Sequence, residues 1–360
     1  MVRRFLFVIS FVVMLLAACQ ATPQAAPTQA PAPTSAPAAK PTAPPAATMA
    51  PAAKPTTAPA SGVTSMAIAR TSGPASGLLF IADDQGYLKE NGLDVDIRNY
   101  PSSADAVSAL VAGDIVGAQP SASTFDGLLD RGVAVKAIGI ISRNPHDEKT
   151  VGVTEIKAPA DLKGKKVGVV GGTSSEFQMG RYLAQGGLTM NDVEVVKADP
   201  PELVAALGRG DIQAFDIWEP FPTNAMQLMG DKIHVLSDSD ALGVTGALYQ
   251  AMSAKFLSDH PQAGVGLMKA YLQAEAFLKA NPQKAIEIIA RYSNLGVDDT
   301  TPVVQKADYH VVVDPKMLSE MQLLGAWLKD IGRIKVEPDY ASAIDGSYLK
   351  QADPTRVTYP

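Results

Sequence analysis

Four short stretches carry the residue types that bind without reacting. They are Ser72–Gly77, Ser102-Ser103, Ser121–Ser123 and Gly172–Ser175. Each combines serine or threonine with small residues just ahead of an apolar-periodic segment. The start of a helix leaves backbone N–H groups unpaired, and the helix dipole favours negative charge there. Such junctions suit a small anion or polar molecule and need no basic pocket. Ordinary helix capping by the same hydroxyls is the competing role. Ser76, Gly77, Ser102, Ser121, Gly172, Thr173, Ser174 and Ser175 are the candidates from these stretches, with Gln119 just before the third. Trp218-Glu219-Pro220-Phe221 adds an aromatic wall and a carboxylate for a cationic or hydrogen-bond-donating group. A buried tryptophan ahead of a turn proline is the alternative there. Arg143 offers a guanidinium to an anion, or a salt bridge between two parts of the fold. Tyr100 lines the same space or packs in the core.

No pattern of bond-making chemistry accompanies them. His146, His234, His260 and His310 are scattered, none at metal-ligand spacing. No His-Glu-x-x-His helix, Gly-x-Ser-x-Gly elbow or phosphate-loop lysine occurs. Arg209-Gly210-Asp211 lies at a helix end, where turn chemistry accounts for it. Neither a metal nor an organic cofactor is expected.

The elements that must position these residues alternate regularly. Met66–Arg70 reads as a strand, Leu78–Lys89 as a helix stopped by Asn91-Gly92, and Leu93–Tyr100 as a strand. Ala104–Ala112 is a helix capped by Ser102 or Ser103 and ended by Gly113. Ile115–Gln119 and Ala134–Ser142 complete the first set of strands. After a connection near 142–150 the pattern restarts. Strands are expected at Val167–Val170, Val193–Ala198, Ala214–Trp218 and Ile233–Leu236, with helices at Glu176–Gln185 and Glu202–Gly208. A strand at Ala247–Ser253 then leads into helices near 261–278, 282–292, 301–304 and 315–331. Strand–helix alternation at this spacing predicts an α/β protein with mostly parallel sheets. Two such units joined together make a cleft at the carboxyl ends of the strands.

The chain's one cysteine, Cys19, closes Leu16-Ala17-Ala18-Cys19 behind Arg3, Arg4 and the mostly apolar 14-residue stretch Phe5–Ala18. A charged start, a short apolar core and a small-residue exit describe an export signal. The core is shorter than the roughly 20 residues of a spanning helix. The ending resembles a bacterial lipobox, which implies cleavage before Cys19 and lipid on its sulfur. From Gln20 to Ala60 the chain is almost all Ala, Pro, Thr, Gln and Ser, with 11 of the 27 prolines. Such a composition buries little area and reads as a semi-extended tether. Without Arg3 and Arg4 the balance is 29 basic against 37 acidic residues. That speaks against nucleic acid as a partner.

From Ser65 to about Leu349 the chain resembles periplasmic substrate-binding proteins of ABC importers. The branch is the one that takes nitrate, taurine, alkanesulfonates and thiamine precursors. The resemblance rests on 82–88 (Ala-Asp-Asp-Gln-Gly-Tyr-Leu), 91–95, 109–114, 161–169, 172–174 and 205–211, and on Trp218-Glu219-Pro220-Phe221. It implies the two-lobed type II fold, a venus flytrap with a hinge and an interlobe cleft. Lobe 1 would be residues 63–142 with 243–360, and lobe 2 residues 143–242. A signal peptide (1–18) and a lipidated tether (19–62) would precede them. It further implies a monomer on the outer face of a membrane, delivering a solute to a permease and its ATPase subunits. In this branch Ser76, Ser102, Ser121 and the Gly172–Ser175 turn would hold the solute, with Trp218 and Glu219 facing the cleft. Glu219 stands where aspartate is commoner. An enzyme on the same fold and a ligand sensor for a signalling protein are the alternatives.

Overall fold

A computed structural model describes residues 62–70, 73–100 and 102–359. Cys19, the signal and nearly all of the tether lie outside the described residues. The described chain falls in one compact unit, Pro59–Pro360. Among the described residues no helix is long and apolar enough to cross a membrane.

Ten strands form two sheets. The first is built from β1 (Thr64–Arg70), β2 (Leu93–Asn99), β3 (Gly117–Ala118), β4 (Val135–Arg143) and β10 (Ala247–Ser253). The second is built from β5 (Glu148–Val153), β6 (Lys166–Val169), β7 (Glu194–Lys197), β8 (Ala214–Trp218) and β9 (Ile233–Asp238). Their orders are β2-β1-β3-β10-β4 and β7-β6-β8-β5-β9. Each sheet is parallel except for one strand. β10 runs antiparallel to β3 and β4, and β5 antiparallel to β8 and β9. Both exceptions are the first strand after the chain has crossed from the other sheet.

The strand β5 corrects the expected connection at 142–150. Glu148-Lys149-Thr150-Val151-Gly152-Val153 has no clean alternation, because its polar side chains find partners inside the sheet rather than solvent. Thr150 Oγ1 donates to Asp216 Oδ2 across the β5–β8 pairing at 2.6 Å. The helix Phe221–Met229 is a second element not expected. The expected helix Leu78–Lys89 is two, Gly77–Asp84 and Tyr87–Glu90, separated at Gly86 with φ +78°. A left-handed residue cannot continue a right-handed helix, and glycine takes that conformation without strain.

The core follows the sheets. Around the first, Phe80, Phe125, Tyr249 and Tyr271 are fully buried with Ile68, Leu78, Leu79 and Ile81. The second is covered on both faces. Leu203, Leu207, Phe215 and Ile217 lie in one cluster, and Val167, Val169, Met179 and Leu183 in another. A small bridging cluster joins the two lobes: Phe177 of the helix Ser174–Gln185 meets Leu324 and Leu328 of the helix Pro315–Asp330. Trp327 of that second helix lies edge-on to Phe177, with ring centroids 4.9 Å apart.

The two crossings are bonded to each other. The Asn144 N–H donates to the Gly246 carbonyl (3.2 Å), and the Asp240 N–H to the Pro145 carbonyl (2.9 Å). Gly246 has φ +58°, and a Cβ there would strike the Asn144 carbonyl oxygen.

Candidate functional site

Between the two sheets lies a cavity of about 110 Å³. The first lobe contributes Gly73, Ala75, Ser103, Gln119, Ser121, Ser123 and Tyr249; the second contributes Glu148, Ser174, Phe177, Gln178 and Trp218. Both crossings line it as well, through Asn144, Asp147 and Gly243–Ala247, and the helix Pro315–Asp330 adds Glu320, Leu323 and Leu324. Any movement of one sheet against the other therefore changes this space.

Four of the sequence candidates meet here: Gln119, Ser121, Ser174 and Trp218. The others hold the fold around it. Ser102 caps the helix Ser103–Ala112, accepting from the Asp105 N–H at 3.2 Å. Ser76 is fully buried with no partner for its hydroxyl among the described residues, and Gly77 starts a helix so close to Ile289 that a Cβ would lie 2.7 Å from its Cδ1. Tyr100 packs, half-buried, against the first core.

In the Gly172–Ser175 turn most donors, those of Ser174 excepted, are taken from within. The Gly172 N–H donates to Glu176 (2.9 Å), and Thr173 Oγ1 accepts from the Ser175 N–H while donating to the Val170 carbonyl. Ser175 Oγ accepts from the Val170 N–H and donates to the Asp216 carbonyl. The chain's own Glu176 fills the place of the anion. Burial pushes its carboxyl up, but Lys197, the Gly172 N–H and Arg333 outweigh that and hold it below the ordinary value. Only Ser174 of this turn lines the cavity.

Arg143 is likewise spent. Its guanidinium donates to Glu320 and Asp314, both at 2.9 Å, and does not line the cavity. Burial lowers its pKa, and these two carboxylates more than reverse that. Glu219 is buried under the cavity wall, paired with Lys149 and accepting from the Thr223 N–H at 3.2 Å. It too lines nothing. Its neighbour Trp218 does, with Nε1–H left without a partner.

Sequence reasoning missed Asn144, Asp147, Glu148 and Tyr249. The only signal was a run of polar residues, Asn144-Pro145-His146-Asp147-Glu148, set between two buried strands. Asp147 and Glu148 are 8% and 5% exposed. Burial, then the charge of Glu219, pushes Asp147 well up, and nearby Lys149 offsets part of this. Burial, then Asp216, pushes Glu148 up against hydrogen bonds from Ser174 and Gln178. Asp216 is raised by burial and relieved by hydrogen bonds from Thr150 and Glu148. Two carboxylates this close cannot both ionise. One proton, held by Glu148 and donated to Asp216, satisfies both.

With that proton placed, six buried polar atoms of lining residues still lack a partner among the described residues. They are Gln119 Oε1, Asn144 Oδ1 and Nδ2, Asp147 Oδ1, Trp218 Nε1 and the Tyr249 hydroxyl. The orientation of Gln119 is set from behind. Tyr271 donates to Gln250 Oε1 (2.7 Å) and so accepts from Gln119 Nε2 (3.1 Å), which turns the amide oxygen outward. A buried polar atom left unpaired costs about 1–3 kcal/mol. Six on one small cavity mark a place where something else supplies the partners. Among the described residues no group of three or more His, Cys, Asp and Glu is placed to hold a metal ion.

Comparison with known proteins follows the same outline. The family model described as "NMT1/THI5 like" matches residues 74–285. The taurine-binding periplasmic protein of Escherichia coli (strain K12) is 26% identical over 287 residues, 74% of this chain and 87% of that protein. The alkanesulfonate-binding protein SsuA from Xanthomonas axonopodis pv. citri, solved with MOPS, superposes with a TM-score of 0.70. It is 20% identical, over 78% of this chain and 98% of its own. The periplasmic nitrate-binding protein NrtA from Synechocystis PCC 6803 also superposes with a TM-score of 0.70, at 16% identity over 81% of this chain and 89% of its own. These three are named as binding proteins. One more distant relative, from Aspergillus parasiticus, is named as 4-amino-5-hydroxymethyl-2-methylpyrimidine phosphate synthase. It is 26% identical over 249 residues, 63% of this chain and 69% of that protein.

Proposed function

The chain belongs to the NMT1/THI5-like family, and on that premise we propose that it is an extracytoplasmic solute-binding receptor of an ABC importer. It is exported, held at the outer face of the membrane by lipid on Cys19, and works as a monomer. It closes around a small anionic or nitrogenous organic solute of the sulfonate, nitrate, taurine or thiamine-precursor type. A membrane permease then reads the closed form, and its ATPase subunits power release. The two lobes are residues 63–142 with 243–360, and residues 143–242.

One observation carries this reading. A small cavity draws its walls from both sheets and both crossings, and six buried polar atoms on it await partners. A solute that fills it contacts both lobes at once, which happens only when they are together. Binding therefore shifts the population toward closure without any chemical step. Of the candidates raised from the sequence, Gln119, Ser121, Ser174 and Trp218 are the proposed contacts, joined by Asn144, Asp147 and Tyr249.

Native mass spectrometry of the purified chain, followed by denaturation and identification of released small molecules, tests it. The expected result is one solute per chain. Adding that solute back at a hundred times its Kd stabilises the fold by about 2.7 kcal/mol. The proposal fails if no solute is found and none of a broad set of sulfonates, amines and pyrimidines shifts the melting temperature. The synthase among the relatives keeps an enzyme as the second reading. The Glu148–Asp216 pair is the group that would serve it, as a proton donor beside the cavity. Consumption of the bound compound would favour that reading.

A further inference from the structure

The geometry points to a solute that carries a protonated nitrogen on a small apolar frame. Its nitrogen sits on the carboxylate of Asp147 and the amide oxygens of Asn144 and Gln119. This rests on the receptor reading above and narrows its ligand class, setting a simple oxyanion such as nitrate aside.

Charge makes the first argument. Among the described residues no lysine, arginine or histidine lines the cavity, whereas Asp147, Glu148 and Glu320 do. Nearby, Arg143 is paired with Glu320 and Asp314 and Lys149 with Glu219, while Arg181, against the Phe177 ring, donates to the Leu242 carbonyl (3.0 Å). An anion entering this space would meet no cationic side chain on its walls, and a buried charge without a partner is costly. The helix starts offer uncharged donors only: the Gly172 and Ser175 N–H groups are occupied from within, Ser121 and Ser123 bond each other at 3.0 Å, and the helix Ala122–Asp130 has no side-chain cap.

The unpaired atoms make the second argument, independent of the charges. Three are acceptors: Gln119 Oε1, Asn144 Oδ1 and Asp147 Oδ1. An ammonium group has three N–H donors and no acceptor, so it matches this set in number and kind. The one ionisable member, Asp147, has no hydrogen-bond partner for Oδ1 among the described residues. The uncharged donors, Trp218 Nε1–H, Tyr249 O–H and Asn144 Nδ2–H, remain for an oxygen elsewhere on the solute. Trp218 and Phe177 supply aromatic surface for the carbon frame and for cation–π attraction.

Proton linkage gives the inference a direction that can be read. Asp147 faces Glu219, Lys149, Glu148 and the hydroxyl of Tyr309, and Glu148 faces Asp216. Burial and these carboxylates raise Asp147, so the solute-free form keeps a proton there to higher pH than an ordinary aspartate does. A cation binds the ionised form. Its uptake releases that proton, and affinity rises with pH until Asp147 ionises unaided. An anion held by protonated carboxyl groups would behave in the opposite way.

The test is calorimetric titration of the full-length chain with taurine, propylammonium, ethanesulfonate and nitrate, at about pH 5.5 and about pH 8. An amine-bearing probe should bind, with protons released and affinity higher at the upper pH. Ethanesulfonate and nitrate should bind on the order of a hundredfold more weakly or not at all. Asp147→Asn should lower amine affinity about 30-fold. If that variant does not fold, the pH direction and proton count of the parent chain decide. Binding of nitrate or ethanesulfonate as tight as that of taurine, or affinity that falls as pH rises, overturns the inference. So does a co-purified solute without a basic nitrogen, which would leave the receptor reading standing. Failure of all four probes together with no co-purified solute removes both.

Discussion

Two buried carboxylate sites in this molecule have opposite fates. Glu275, in the long helix Pro261–Ala280, is 1% exposed, and Asp147 at the crossing is 8% exposed. Burial is therefore not what separates them. Glu275 accepts from Arg356 (3.0 Å), the Val311 N–H (3.0 Å) and Lys279. These donors outweigh burial and hold its pKa below the ordinary range. Asp147 receives no such supply, and Glu148 only uncharged donors from Gln178 and Ser174; both are pushed up. The fold can surround a buried carboxylate with donors where its job is to fasten the C-terminal segment. Where it leaves one without them, beside a cavity, the missing donors belong to another molecule. The same contrast separates Glu176, saturated by Lys197 and Arg333, from the lining a few ångströms of chain away.

The largest effect should come from breaking the saturated site. Glu275→Gln removes the charge that Arg356 and Lys279 are placed around, and should cost about 3 kcal/mol in urea or thermal unfolding. The pH sign follows from the shift. A folded-state pKa below the unfolded one, near 4.3, gives stability that is present above that pH and lost as pH falls through the folded value. The variant should lack this acid limb. The cavity carboxylates have the reverse sign, since their raised pKa values cost stability as pH climbs from the unfolded value.

A third carboxylate sharpens the contrast because it is half supplied. Asp126 receives one hydrogen bond, from the Tyr340 hydroxyl at 3.2 Å, and its other oxygen has no partner among the described residues. Burial pushes it up to about 8 despite that bond. Its cost builds as pH rises from near 4 toward 8, so Asp126→Asn should stabilise the chain at the upper end by about 1 kcal/mol. Near pH 4 the two forms should unfold alike. A variant less stable than the parent at pH 8 would show that the carboxylate is held by something other than Tyr340.

The smallest effect separates a capping residue from a binding one. Ser102→Ala removes an N-cap and should cost about 1 kcal/mol in unfolding. Solute affinity should not change, because Ser102 does not line the cavity. A loss of affinity with full stability would return that serine to the site.

Much of the fold was readable from residues alone, and the reason shows in individual strands. Ala214–Trp218 and Ala247–Ser253 are mostly apolar runs between turn residues, and both strands have those bounds. β5 was not readable, because Glu148 and Thr150 look like surface residues until Asp216 and Gln178 are beside them. The site divides the same way. Trp218, Ser121, Ser174 and Gln119 stand at strand ends, where local pattern points. Asn144 and Asp147 matter because the opposite crossing, through Gly246, folds back onto them. No local pattern encodes that pairing. Nor does local pattern reveal that Glu176 will occupy the turn beside it, or that Asp314 and Glu320 will take Arg143.

The two tryptophans of the chain make the decisive measurement direct. Trp218 lines the cavity, whereas Trp327 stacks edge-on against Phe177 beside it. In a Trp327→Phe chain, the emission of Trp218 should change saturably, with one site, on titration with taurine or propylammonium. Asp147→Asn in the same background should move that titration to about 30-fold higher concentration. A folded chain whose Trp218 emission ignores every amine-bearing and sulfonate probe, while a solute still binds by calorimetry, would place the binding site elsewhere and contradict the account.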